Sequence, residues 1–94
     1  MRRETLSCEA LVIGSGPGGA TTAALLAEAG VDVILLEEGR DLALDSAPAH
    51  SLAEMAQKYR NDGLTPALGK TKVTYVEGRC VGGASEINAG LYHR

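Results

Sequence analysis

The stretch Ala10-Leu11-Val12-Ile13-Gly14-Ser15-Gly16-Pro17-Gly18-Gly19-Ala20 decides the fold of this chain. Its first four residues form a short apolar run that starts near Cys8 and stops at Gly14, the pattern of a buried parallel strand. Four glycines follow within six positions, and the sequence then runs from Ala20 to Ala29 in Ala and Leu with no breaker. Pro17 stands where a first helical turn accepts proline, and Gly30 stands where a helix terminates. Working outward, Val31-Asp32-Val33-Ile34-Leu35-Leu36 is rich in β-branched residues and reads as a second strand ending at Glu37. Strand, glycine turn, helix and strand together take about 30 residues, the size of one βαβ unit. The expected class is α/β.

Gly14, Gly16 and Gly19 occupy the positions of a G-x-G-x-x-G string, which gains meaning only between a strand and a helix. The first glycine allows the tight turn off the strand. The second leaves room for a pyrophosphate to reach the backbone, and the third lets helix and strand pack closely. A helix opening at this point directs its free N–H groups and positive dipole end at an anion. Ser15, Pro17 and Gly18 complete the loop, so Gly14 to Gly19 is the expected diphosphate cradle. Ala20, Ala23, Ala24 and Ala27 keep the helix near the sheet. An acid near the end of the second strand should then accept hydrogen bonds from ribose hydroxyls. Glu37 lies 23 residues after Gly14, close to the expected spacing. Strand alternation sends Glu37 and Glu38 to opposite sides, so only one of them points at the ribose; Glu37 is the expected acceptor and Glu38 its solvated neighbour. Gly39 lets the chain turn away. Arg40 would suit the extra phosphate of NADP, but an acid at the ribose argues against that ligand, and Arg40 reads as surface charge. These residues predict a Rossmann-like site for an ADP-containing dinucleotide and leave FAD and NAD both open.

Further along, Arg40 to His50 has no clean period and reads as a loop. Ser51 and Glu54 form an S-x-x-E capping box, and Leu52, Met55, Ala56 and Tyr59 follow at helical spacing, predicting a helix over Leu52 to Arg60. Asn61-Asp62-Gly63 ends it. Leu64 to Leu68 and Thr71 to Glu77 look extended, with Gly69-Lys70 between them as a hairpin turn.

Composition removes other classes. The 94 residues allow one domain, and 45% hydrophobic with 22% charged residues is the balance of a globular protein rather than a disordered tail. The core material is unusual: no Phe, no Trp, three Tyr, twelve Gly, and Ala as a third of the hydrophobic residues. A net charge of −3 argues against nucleic acid or an anionic membrane as partner. No apolar run reaches the length of a membrane span, and Met1-Arg2-Arg3-Glu4 is followed by no apolar export signal, so a cytoplasmic protein is expected. Cys8 and Cys80 are too few for a disulfide framework and read as small buried hydrophobes.

The other informative segment is Gly78-Arg79-Cys80-Val81-Gly82-Gly83-Ala84-Ser85-Glu86-Ile87-Asn88-Ala89-Gly90-Leu91-Tyr92. Paired glycines, a hydroxyl and then an amide offer backbone and side-chain donors for a diphosphate or a polar ring edge. A glycine-rich loop opening a helix, with Ser85 as N-cap, fits the residues equally well. The segment resembles the glucose–methanol–choline (GMC) oxidoreductases, whose signature G-R-x-[LIV]-G-G-[small]-[ST]-x-[LIV]-N is filled by Gly78, Arg79, Val81, Gly82, Gly83, Ser85, Ile87 and Asn88. The family's upstream G-x-G-x-G-G and E-x-G elements match Gly14 to Gly19 and Glu37 to Gly39, so the resemblance spans nearly the whole chain. The capped helix and Asn61-Asp62-Gly63-Leu64-Thr65 look most like the branch of long-chain-alcohol and cholesterol oxidases.

The resemblance implies FAD binding and oxidation of an alcohol by hydride transfer to the flavin. It implies that Val81, Gly82, Gly83 and Ser85 contact the diphosphate region and that Asn88 and Ala89 lie near the isoalloxazine. Arg79 is then a structural or phosphate-side cation. Ala84 departs from the Gly, Ser or Thr common at its position, which removes a hydroxyl and keeps the backbone. Ile87 stands where some relatives tether flavin through histidine, so the FAD is expected to be non-covalent. The family's catalytic pair, a histidine with a second histidine or asparagine, comes from a distant C-terminal part, and neither His50 nor His93 matches it; no catalytic residue is expected among these 94. The resemblance therefore implies the N-terminal part of a larger FAD-binding domain, with the substrate domain elsewhere. A stand-alone nucleotide-binding module and the NAD-binding domain of another dehydrogenase are the alternatives.

Overall fold

In the computed structural model, which describes residues 1–88, β1 (Ala10–Ile13) and β2 (Val33–Leu36) pair in parallel. The register sets Ala10 beside Val33 and Ile13 beside Leu36, and the ladder continues one step further through Gly14 N–H to Leu36 O at 2.7 Å. Between the strands runs α1 (Pro17–Glu28), with Pro17 in its first turn. The βαβ unit read from the sequence is present. The helix begins three residues earlier than its Ala/Leu run, because Pro17, Gly18 and Gly19 are already helical.

Helix α1 lies against the face of the sheet that carries Val12. A Cβ on Gly19 would overlap the Gly14 carbonyl oxygen and sit 3.4 Å from Val12 Cγ1, so only glycine permits this approach. At its other end the Gly30 N–H reaches Ala27 O and the Val31 N–H reaches Leu26 O, with Gly30 at φ +83. That is a Schellman closure, and it is why Gly30 terminates the helix. Val31 and Asp32 are used in leaving the helix, so the second strand starts at Val33 rather than Val31.

After the loop, α2 (Leu52–Lys58) opens with Ser51 Oγ accepting from Glu54 N–H at 3.1 Å. The carboxylate of Glu54 reaches back to the His50 N–H, one residue beyond the usual box partner. Helix α2 ends at Lys58 instead of Arg60, because Tyr59 is extended and a 3-10 turn at Arg60–Gly63 follows, with Asn61 and Asp62 in left-handed conformations. The hairpin is β3 (Thr65–Ala67) with β4 (Val73–Tyr75), antiparallel, pairing Pro66 with Thr74. Its strands are shorter than the extended runs in the sequence, and the residues from Leu68 to Lys72 make the connection.

The second glycine segment returns to the first sheet. Cys80 bridges Arg40 in parallel sense, just beyond β2, and Gly78 bridges Tyr59. Cys80 is 2% exposed and is the one fully buried hydrophobic residue among those described; Cys8 is half-buried. The other face of the sheet is open, with Leu11 54%, Leu36 50% and Ile13 80% exposed. No helix among the described residues is long and apolar enough to cross a membrane.

Candidate functional site

The two glycine segments meet backbone to backbone. A Cβ on Gly83 would lie 2.8 Å from Gly16 Cα, and Gly83 itself has φ +63. Gly83 is therefore required both for its conformation and for the approach. Gly16 faces the other way: a Cβ there would meet nothing within 4 Å. It borders a cleft of about 660 Å3 whose walls are Gly14, Gly16, Glu37, Glu38, Gly78 and Gly83, with Ile13 and Leu36 supplying apolar surface. That volume is in the range of small-molecule and cofactor pockets.

Helix α1 starts at this cleft. Gly16 is its N-cap, so there is no capping side chain, and its first turn carries no acid. The first-turn N–H groups lack intrahelical acceptors by the geometry of any helix start. A site with an uncapped dipole end, and open space at Gly16 where a side chain would intrude, fits an anionic diphosphate.

Glu37 and Glu38 both line the cleft but make different bonds, and Glu38 is more than a solvated neighbour. Glu37 Oε2 accepts from Ser15 N–H at 2.9 Å and from Ser15 Oγ at 2.7 Å, and its Oε1 accepts from Gly39 N–H at 2.7 Å. The Ser15 hydroxyl first, and then the two backbone donors, hold the carboxyl of Glu37 below the ordinary carboxylate range. Glu38 instead pairs with Arg60 and, at 3.5 Å, with Arg79. Arg60 also reaches Glu77 at 2.7 Å. The hydrogen bond from Arg60 is the main cause that lowers Glu38. Arg79 thus stands at the edge of an ion-pair cluster joining the end of β2 to the chain before the second glycine segment.

That second segment spends most of its N–H groups on holding itself in place. Arg79 N–H donates to Lys58 O at 2.7 Å, Val81 N–H to Arg40 O at 3.1 Å, and Gly83 N–H to Cys80 O at 2.9 Å. Gly82 N–H donates to Ser15 Oγ at 3.1 Å. A 3-10 turn at Gly83–Glu86 follows, with Gly82 as its N-cap, so Ser85 lies inside the turn instead of capping a helix. Ser85 and Asn88 are exposed, Ala84 and Ile87 belong to the same turn and its end, and Ala89 and His93 fall outside the described residues. His50 is exposed, and its N–H is taken by Glu54. No group of three or more His, Cys, Asp or Glu among the described residues is placed to hold a metal ion.

Three roles were not read from the sequence. Arg60 joins the segments as an ion-pair bridge. Gly39 serves close packing, since a Cβ on it would overlap the Cys80 backbone. Ser15 joins the acid to the second segment. All three act between residues at least 17 positions apart, and no local spacing announces such contacts.

Comparison with known proteins places these features. The sequence model of the family described as "FAD binding domain" matches residues 7–77, which include the first glycine segment and Glu37. An uncharacterised GMC-type oxidoreductase of Sinorhizobium fredii is 45% identical over 89 residues, covering 95% of this chain and 18% of the relative. A second GMC-type oxidoreductase, of Mycobacterium tuberculosis, is 44% identical over 87 residues, or 92% of this chain and 14% of the relative. A long-chain-alcohol oxidase of Arabidopsis thaliana is 37% identical over 83 residues, or 88% of this chain and 11% of the relative. The chain spans less than a fifth of the length of these relatives. A match covering 95% of the chain extends over the second glycine segment as well as the first. The chain belongs to the FAD-binding domain family, with FAD as its cofactor, and over most of its length it is similar to proteins named GMC-type oxidoreductases.

Proposed function

We propose that this chain is the N-terminal, ADP-binding portion of a flavin-dependent enzyme that oxidises an alcohol to a carbonyl compound. The observation that carries the reading is the contact of Gly83 with Gly16 beside Glu37, which brings both glycine segments and the acid to one cleft. Its βαβ core is the first unit of a Rossmann-like domain, and residues 1–94 supply the cofactor-cradling part of it. Gly14, Gly16, Gly18 and Gly19 give the diphosphate a close backbone and an open helix end, with Pro17 setting the first turn. Glu37 accepts from the adenosine ribose. Gly78 and Gly83 close the wall, while Val81 and Gly82 line a neighbouring pocket and support it from behind. Ser85 offers its hydroxyl to the diphosphate side, and Asn88 with Ala89 leads towards the flavin ring. Glu38 and Arg79 border the cofactor through their ion pair rather than by holding phosphate.

Bound flavin supplies the hydride acceptor. The base that takes the alcohol proton is assigned to another part of the protein; His50 is exposed and does not line the cleft. Ile87 has no nucleophile to attach flavin, so binding is non-covalent. The cytoplasm is the working compartment, and alcohols of the long-chain type named for the Arabidopsis relative are the first substrates to try. The test is to screen alcohols with the full-length protein under anaerobic conditions. Bleaching of the oxidised flavin absorbance by an alcohol, with the matching aldehyde or ketone formed, supports the proposal. A flavin that no alcohol reduces, but that NADH reduces, contradicts it.

A further inference from the structure

Ser15 is the residue that the two glycine segments and the acid have in common. It is 8% exposed, the one buried polar residue among those described. Its hydroxyl accepts from Gly82 N–H at 3.1 Å and donates to Glu37 Oε2 at 2.7 Å. Its own N–H donates to the same carboxylate oxygen at 2.9 Å. Both polar groups of Ser15 are therefore used inside the protein. The order of the chain of bonds matters. Gly82 N–H occupies one acceptor side of the hydroxyl oxygen, which fixes the rotor and leaves the hydroxyl proton directed at Glu37. A carboxylate offers about four acceptor directions, and Ser15 and Gly39 take three of them in this structure. The capacity that remains is held in a fixed orientation.

We propose that Ser15 is a positioning residue for the cofactor: oriented by Gly82 of the second glycine segment, its hydroxyl aims Glu37 at the adenosine ribose without itself touching FAD. This rests on Glu37 being the ribose acceptor, as assigned above. Pre-aiming the carboxylate removes an ordering cost that binding would otherwise carry. The charged and titratable groups around Glu37 are its neighbour Glu38, the Arg60 and Arg79 that pair with Glu38, and the Cys80 thiol, which burial pushes up. None of their side chains hydrogen-bonds Glu37; the backbone of Glu38 adds a minor favourable contact, and the Ser15 hydroxyl is the largest of the causes that lower the Glu37 carboxyl.

The test measures FAD affinity of the full-length apoprotein by flavin fluorescence from about pH 5 to pH 8, using Ser15→Ala, Ser15→Thr, Glu37→Gln and the double variant Ser15→Ala/Glu37→Gln. Ser15→Ala is expected to weaken FAD binding about tenfold near neutral pH, the scale of one hydrogen bond to a charged group. Its affinity should also begin to fall at a higher pH than that of the unaltered protein, because Glu37 then takes up its proton sooner. Ser15→Thr restores the hydroxyl and most of the affinity. In the Glu37→Gln background, Ser15→Ala should cost less than twofold. A Ser15→Ala protein that binds FAD normally while Glu37→Gln weakens it overturns the positioning role and leaves the ribose assignment standing. So does an equal loss from Ser15→Ala in both backgrounds. Normal binding by Glu37→Gln removes the ribose assignment, and the proposal with it. Should Ser15→Ala fail to fold, Ser15→Thr against Ser15→Val, equal in volume and differing in the hydroxyl, carries the same comparison.

Discussion

At the scale of single residues, Gly16 and Gly83 separate two uses of glycine that look alike in sequence. Gly16→Ala places its methyl in open space, so the fold should be kept, while the approach of the diphosphate is blocked. FAD affinity of the full-length protein should fall at least about tenfold, or about 1.4 kcal/mol, with an unchanged circular dichroism spectrum. Gly83→Ala drives its methyl into Gly16 and forces a left-handed alanine, so structure and flavin should be lost together. A Gly83→Ala protein that keeps its fold and its FAD would show that the two segments need not touch. Glu37 gives a pH prediction. Its folded pKa lies below the ordinary carboxylate value of about 4.3. Its contribution to stability is therefore complete above that value and is lost as pH falls through the lower, folded pKa. Acid unfolding followed between pH 6 and pH 3 should be less steep for Glu37→Gln, which has no proton to take up. Of the site, the glycine string and the acid were legible because turn, strand end and helix start are neighbours in sequence. The contact of Gly83 with Gly16, the pairing of Arg60 with Glu38 and the use of Ser15 were not, because each depends on segments brought together only by folding.

At the scale of elements, the ends decide where the helices lie. The Schellman closure at Gly30 holds the last turn of α1, and Gly30→Ala at φ +83 should cost about 1 kcal/mol. Ser51→Ala removes the cap of α2 and should cost about 1 kcal/mol. Hydrogen exchange of the full-length protein localises each effect: faster exchange should be confined to the last turn of α1 in the first variant and to the first turn of α2 in the second. Uniformly faster exchange would mean that the caps act on the whole domain. Element types were readable because apolar runs, Pro17, Gly30 and the Ser51–Glu54 pair act within one turn of the chain. The boundaries shifted where tertiary contacts took over. Arg79 N–H reaching Lys58 O and Arg60 N–H reaching Glu77 O hold the chain after Lys58 extended, and that ends α2 two residues before the periodic pattern does.

At the scale of the whole molecule, the composition and the structure describe the same incompleteness of burial. The chain exposes 7762 Å2 of surface, where a folded protein of its mass exposes about 5,100 Å2. Its radius of gyration is 16.0 Å, against about 12 Å for a compact chain of this length. Few aromatics and many Ala and Gly leave the face of Leu11, Ile13 and Leu36 without cover. The 94-residue segment by itself should accordingly unfold in urea over a broad range and bind FAD far more weakly than the full-length protein. A sharp, cooperative transition with FAD bound one to one would contradict that expectation. Whether the two glycine segments and Glu37 form an FAD cradle is decided by titrating the full-length apoprotein with FAD and with NAD side by side. One FAD per chain is expected, released intact into the supernatant on denaturation, with no saturable NAD binding in the same concentration range. A colourless protein that saturates with NAD and leaves FAD in solution would contradict it.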